Sequence, residues 1–140
     1  MILTDGAKMV LTPTYHVFAL FQPFQDATSL ATDVAAPNYV LGTFAVPALS
    51  ASAARSADGS IIVAFVNLDP HRSLNLASTL TGVNVKSVRG TILSGAATDS
   101  HNTFDAPHSV EPKAFNGARL EGRALLLSLP PKSVVVLTLQ

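Results

Sequence analysis

Glu111 and Glu121 are the only glutamates in the chain, and paired carboxylates are the usual machinery for cleaving a glycosidic bond. Glu111 precedes Pro112 and Glu121 precedes Gly122, so both read as solvated charges in a loop and a turn rather than as an acid and a nucleophile. Asp99, His101, Asp105 and His108 follow the spacing D-x-H-x-x-x-D-x-x-H. Their side chains suit zinc or a similar ion. The stretch lacks an H-E-x-x-H or C-x-x-C spacing and falls in an expected loop, so these four read as polar loop residues. Ser, His and Asp are plentiful, yet no G-x-S-x-G elbow presents a nucleophile. His16 is expected on a helix and His71 in a turn, each as a surface or hydrogen-bonded imidazole. No glycine pattern of a nucleotide-binding loop occurs. Tryptophan is absent and tyrosine occurs only at Tyr15 and Tyr39, which leaves few flat platforms for sugar stacking. No residue is assigned a catalytic, cofactor-binding or metal-binding role.

Composition narrows the field further. Nine basic and nine acidic side chains cancel, and no block of like charge exceeds two residues. A nucleic-acid binder needs clustered Lys and Arg to displace counterions, and an anionic membrane surface needs the same. Neither partner is expected. Apolar residues make up 48% of the chain and charged residues 13%, against a usual ~25% charged. That is too apolar for disorder and low in charge for a domain that stands alone. Without cysteine there is no disulfide, thiolate metal site or Cys nucleophile. The opening residues do not read as a signal peptide, and Pro, Ser or Thr interrupts the apolar stretches before they reach transmembrane length.

The elements that would position any site fall into two unequal parts. Thr12 followed by Pro13 reads as a helix N-cap with Pro at the first helical position. Tyr15, Val17, Phe18, Phe21 and Phe24 recur near helical spacing, and Pro23 should end the helix at about Gln22. One amphipathic helix of about three turns must pack on something else. Residues 25–47 read as an irregular connection, with Tyr39–Phe44 as a short strand. From Pro47 onward the signals are β: Leu49–Ser56, an Asp58-Gly59 hairpin turn, Ser60–Leu68, an Asp69-Pro70 turn, Ser73–Leu76, Val83–Ser94, Arg119–Leu120, Ala124–Leu129 and Ser133–Leu139. Asn116-Gly117 and Pro130-Pro131 break the later strands. Many short strands with turns between them predict an antiparallel β-sandwich.

Ile61–Val66 and Val134–Val136 are apolar without alternation. An antiparallel strand with one face in water should alternate, so a second layer is expected on these strands, from the helix and from a neighbouring domain. A thick core with a few exposed valines is the alternative.

Four stretches together resemble one family. Ile2–Phe18 (ILTDGAKMVLTPTYHVF) is similar to the segment that follows the last barrel strand of family 51 α-L-arabinofuranosidases and leads into their final barrel helix. Ser50–Pro70 (SASAARSADGSIIVAFVNLDP) is similar to that family's small-residue strand, hairpin and V-N-L-D strand end. Asn102–Pro112 (NTFDAPHSVEP) and Leu125–Gln140 (LLLSLPPKSVVVLTLQ) continue the resemblance nearly to the end. It implies an all-β, jelly-roll-like antiparallel sandwich preceded by one short N-terminal α-helix. Residues 1–46 would be the final barrel-type helix and its connection, and residues 47–140 the C-terminal sandwich domain.

The family joins such a sandwich to a (β/α)8 barrel. It removes terminal α-L-arabinofuranosyl residues from arabinan and arabinoxylan with retention, using two barrel glutamates that lie upstream of anything matching here. The resemblance therefore implies a structural part, inactive alone, of a longer enzyme in which Met1 is internal. Its partners would be the barrel, arabinose-containing oligosaccharides through the parent, and further copies in a homo-oligomer. No cofactor is implied, and the cytoplasm is the favoured location. The family's sandwich also takes a strand from the start of the full chain, so this chain alone should have an open edge. Pro23 departs from the longer helix usual in the family. A carbohydrate-binding or protein-interaction β-sandwich is the alternative function.

Overall fold

In the computed structural model, which describes residues 1–140, Thr12 caps helix α1 (Pro13–Phe21) as its type and the following proline dictate. Its Oγ1 accepts from the Tyr15 N–H at 3.4 Å and donates to the Met1 carbonyl at 2.7 Å. Helix α1 ends at Phe21 with Gln22 as its C-cap, where Pro23 is expected to stop it. The chain then tightens into a 3-10 turn at Gln22–Phe24, where the ring's fixed φ is tolerated and one missing N–H matters little. The opening residues, which carry no strand in the sequence reading, form a hairpin of β1 (Ile2–Asp5) and β2 (Lys8–Leu11).

The connection before Pro47 is also more ordered than its composition implies. It contains β3 (Thr28–Leu30) and a second hairpin, β4 (Asn38–Leu41) with β5 (Phe44–Pro47). Beyond it run β6 (Leu49–Arg55), β7 (Ile61–Asn67), β8 (Leu74–Thr79), β9 (Val88–Ser94), β10 (Lys113–Ala114), β11 (Ala118–Glu121), β12 (Ala124–Leu129) and β13 (Ser133–Leu139). The expected strand Val83–Ser94 begins only at Val88, which pairs with Leu139 of β13; Ser87 still exchanges backbone hydrogen bonds with Gln140, and the residues before it have no strand partner. At the β6–β7 turn Gly59 has φ +87°, a conformation only glycine adopts without strain. Asp58 Oδ1 accepts from the Ser60 N–H and hydroxyl beside it.

These strands form a large sheet in the order β10-β9-β13-β7-β6-β3 and a small one in the order β11-β12-β8, all antiparallel. The two face each other as an antiparallel sandwich. Ile61, Val63 and Phe65 of β7 and Val135, Leu137 and Leu139 of β13 meet Leu125, Leu127 and Leu129 of β12 in the main core. Gly90 lies within this core at a close approach: a Cβ there would sit 2.6 Å from Leu137 Cδ2 and 3.1 Å from Phe115 Cβ.

The unalternating strands find their second layer inside the chain. Ile62, Ala64 and Val136 point away from the main core and are buried beneath Leu20, Phe21 and Phe24. The period-2 geometry of a strand sends alternate side chains to opposite faces, so Ile61–Val66 of β7 and Val134–Leu137 of β13 are apolar at successive positions to serve both layers. Burying these faces supplies roughly 25 cal/mol per Å² of apolar surface. In contrast, the β4–β5 hairpin leaves Val40, Leu41, Phe44 and Val46 exposed.

Leu137 is fully buried and Leu41 is 66% exposed. Leu137→Ala is therefore expected to cost about 2–5 kcal/mol, and Leu41→Ser to stay within about 0.5 kcal/mol of the parent. Urea unfolding followed by circular dichroism checks both; equal losses for the two variants would contradict this layering.

Candidate functional site

Each of the residues with chemical potential has a definite place. Glu121, on edge strand β11, accepts from Arg119 Nε at 2.8 Å with both side chains exposed. Glu111 pairs with His108 at the surface of the loop that follows β9. The two carboxylates lie on different elements, each with its own cationic or imidazole neighbour. Asp99, His101, Asp105 and His108 stay on this same loop, and no three His, Asp or Glu side chains converge in metal-binding geometry. His101 Nδ1 lies 2.8 Å from the Asp99 backbone carbonyl. His16 departs from its expected surface or hydrogen-bonded position: it is buried on helix α1, edge-on to Tyr15 with ring centroids 5.6 Å apart. His71 is exposed in the turn after β7, as its neighbours Asp69 and Pro70 imply.

The densest polar constellation is one that the sequence marks only as an Asp-Pro turn. Asp69 is 1% exposed. Its Oδ1 accepts from the His71 N–H at 2.8 Å and the Arg72 N–H at 2.9 Å, and its Oδ2 accepts from Arg72 Nε at 2.6 Å. Asn67 Oδ1 accepts from the Asp69 N–H at 3.0 Å, while Asn67 Nδ2 donates to the carbonyls of Arg72 and Pro130, each at 2.9 Å. Lys132, at φ +53°, reaches back with Nζ to the Pro70 carbonyl at 2.9 Å. The His71 amide hydrogen bond, followed by those from Arg72, holds the Asp69 carboxyl down at about 2 against the opposing effect of burial. Three hydrogen bonds from its own chain and 1% exposure leave this carboxylate committed to the turn. This corner joins the β7–β8 and β12–β13 turns; it is structural chemistry.

Concave surface lies elsewhere. A cleft of about 740 Å³ opens between the sheets beside β8, walled by Leu30, Val34, Ala53, Leu76, Leu80 and Val83. Asp33 and Arg55 are the only charged residues lining it. Edge strand β8 borders it with six uncharged residues, whereas the other edges are either short, as in β3 and β10, or charged, as in β11. A long, uncharged edge beside an apolar cleft has the form of a strand acceptor. Large apolar side chains are also exposed in two other parts of the chain. Met1, Ile2, Leu3 and Met9 of the first hairpin and Phe18 of α1 are exposed, as are Val40, Leu41, Phe44 and Val46 of the β4–β5 hairpin. Exposed apolar patches mark contact sites for other protein surface.

Comparison with known proteins places this architecture. A family model described as the alpha-L-arabinofuranosidase C-terminal domain matches residues 1–133. An intracellular exo-alpha-L-arabinofuranosidase from Bacteroides ovatus is 35% identical over 141 residues, an alignment covering 100% of this chain and 27% of that protein. The crystal structure of a family 51 arabinofuranosidase from Xanthomonas axonopodis pv. citri superposes with a TM-score of 0.98 at 46% identity, over 100% of this chain and 28% of that one. A thermostable family 51 enzyme from Thermotoga petrophila RKU-1 shares the fold, with a TM-score of 0.83 at 24% identity over 99% of this chain and 31% of that one. The chain thus spans under a third of the length of each of these proteins.

The Asp69 corner yields a pH prediction. Its folded pKa of about 2 lies below the ordinary 3.8. Its stabilising contribution is therefore complete above pH ~4 and disappears as the pH falls toward 2. Asp69→Asn should be less stable than the parent at neutral pH, and the gap should narrow across that acid window. Denaturant midpoints measured from pH 7 to pH 2 check this; a gap that does not change with pH would refute the assignment.

Proposed function

The chain belongs to the alpha-L-arabinofuranosidase C-terminal domain family, and from that premise we propose that it is the non-catalytic β-sandwich of an enzyme that removes terminal α-L-arabinofuranosyl residues from arabinan and arabinoxylan. The observation that carries this reading is the alignment of the whole chain with just 28% of a family 51 arabinofuranosidase at 46% identity. The catalytic carboxylates then belong to the rest of the enzyme. Glu111 and Glu121 here are occupied with His108 and Arg119 at the surface.

In this reading the exposed apolar surfaces are contact surfaces. Met1, Ile2, Leu3, Met9 and Phe18 abut the catalytic (β/α)8 barrel of the same enzyme. The β8 edge and its cleft receive an extended segment of the parent, whose main-chain groups satisfy the edge while its side chains fill the apolar space. The β4–β5 hairpin contacts a further copy in a homo-oligomer. Arabinose-containing oligosaccharides are met through the barrel, with this domain as its support and as one wall near the mouth of the active site. The enzyme works in the cytoplasm, in line with the intracellular relative from Bacteroides ovatus.

Activity separates the parts. Residues 1–140 alone are expected to give no enzyme-level turnover of p-nitrophenyl α-L-arabinofuranoside, whereas the full-length protein that contains them hydrolyses it. Turnover by the pure 140-residue chain, or none by the full-length protein, would sink the reading.

A further inference from the structure

We propose that Asn102 is a positioning residue that clamps the long loop after β9 onto the β1–β2 hairpin, and so fixes the hairpin and the start of helix α1 against the sandwich. The loop runs from residue 95 to residue 112 without a helix or strand, a length that is uncommon in a compact domain unless it serves a function. Most of its side-chain hydrogen bonds close on the loop itself: Ser100 to Ala97, Thr103 to Ala106, Ser109 to Ala106 and His108 to Glu111. Asn102 does more. It is 3% exposed. Its Oδ1 accepts from the Val110 N–H at 2.7 Å, and its Nδ2 donates to the Val110 carbonyl at 3.0 Å and to the Leu11 carbonyl at 2.8 Å, 91 positions away. Both amide hydrogens and the carbonyl are thereby used.

The Leu11 bond is the only hydrogen bond from residues 1–11 to the sandwich, since the hairpin forms its own two-stranded sheet and its other bonds are local. Val10 and Val110, next to or at the bonded groups, are both buried, so the bonds lie in a low-dielectric seam where an unpaired amide is costly. Leu11 immediately precedes the Thr12 cap, and Asn102 therefore holds the chain where it turns from strand into helix. If the proposed function holds, the hairpin and α1 belong to the barrel side of the enzyme. Asn102 then sets how the two parts sit on one another; this step rests on that reading, and the clamp itself does not.

Asn102→Asp keeps the shape and the acceptor but turns a carboxylate toward two carbonyl oxygens. Hydrogen exchange on the full-length protein should show amides of Lys8–Leu11 and Tyr15 exchanging at least tenfold faster in N102D, with β7 and β13 unchanged. Ser109→Ala, which removes a bond internal to the loop, should leave the hairpin at its original rate. Unchanged hairpin exchange in N102D would overturn the proposal, as would equal acceleration in β7 and β13. Should N102D not fold, the unaltered protein still decides: the Asn102 side-chain amide must exchange far more slowly than those of exposed Asn38 and Asn84, and an equal rate would overturn the clamp. Under the proposed function, N102D also lowers kcat/KM for an aryl arabinofuranoside several-fold. Hairpin release in a protein that lacks the activity would fail the functional reading and leave the clamp standing. Activity with unchanged hairpin exchange would do the reverse.

Discussion

Two central strands that are apolar on both faces govern the architecture. β7 and β13 pair with each other along their whole length and carry no alternation. One sheet-on-sheet contact would leave Ile62, Ala64 and Val136 in water. The short helix and its 3-10 extension remove that penalty by laying Leu20, Phe21 and Phe24 over them. Helix α1 is too short to persist by itself, and the outer face of the sheet is too apolar to stay bare. Each is therefore the other's condition for order. The polypeptide thus has three layers, helix on sheet on sheet, although its content is almost entirely β.

Polar groups do the complementary work of fixing the ends of the layers. The Asn67–Asp69 corner satisfies the backbone where β7 turns away, and it reaches the Pro130 carbonyl in the turn that leads into β13. Asn102 performs a similar task at the hairpin. Both sites are nearly dry and internally saturated, the arrangement in which buried polar groups specify geometry rather than simply lower stability. Sugar chemistry needs the opposite: unsatisfied donors and acceptors facing a solvent-filled space. The cleft beside β8 is walled mostly by aliphatic side chains instead.

What could be read from the sequence follows from the range of the interaction concerned. Thr12-Pro13, Asp58-Gly59 and Pro130-Pro131 act through their immediate neighbours, so the helix start and the later turns sit where residue types place them. The doubled apolar pattern of Ile61–Val66 likewise announces a second cover. The first hairpin is legible in principle, because Asp5-Gly6 carries the same turn chemistry as Asp58-Gly59 and Gly6 does adopt φ +54°. The tie between the Asn67–Asp69 corner and the β12–β13 turn is not legible, since Asn67 reaches Pro130, 63 positions later. Nor is the role of Asn102, whose partner Leu11 is 91 positions earlier. The family resemblance is legible because it rests on contiguous strings of residues, as is the placing of Glu111 before Pro112 and Glu121 before Gly122.

The position of β13 has a consequence for how the chain reaches this state. Residues 133–139 lie between β7 and β9, so the middle of the large sheet is filled by a segment synthesised after both of its neighbours. Until it arrives, the inward faces of β7 and β9 have no common partner and their facing edges are unpaired. Non-local pairings of this kind slow folding and prolong exposure of aggregation-prone edges. During translation the ribosome must therefore release nearly the entire domain before its sheet can close, and the interval before closure is when a chaperone would have most to protect.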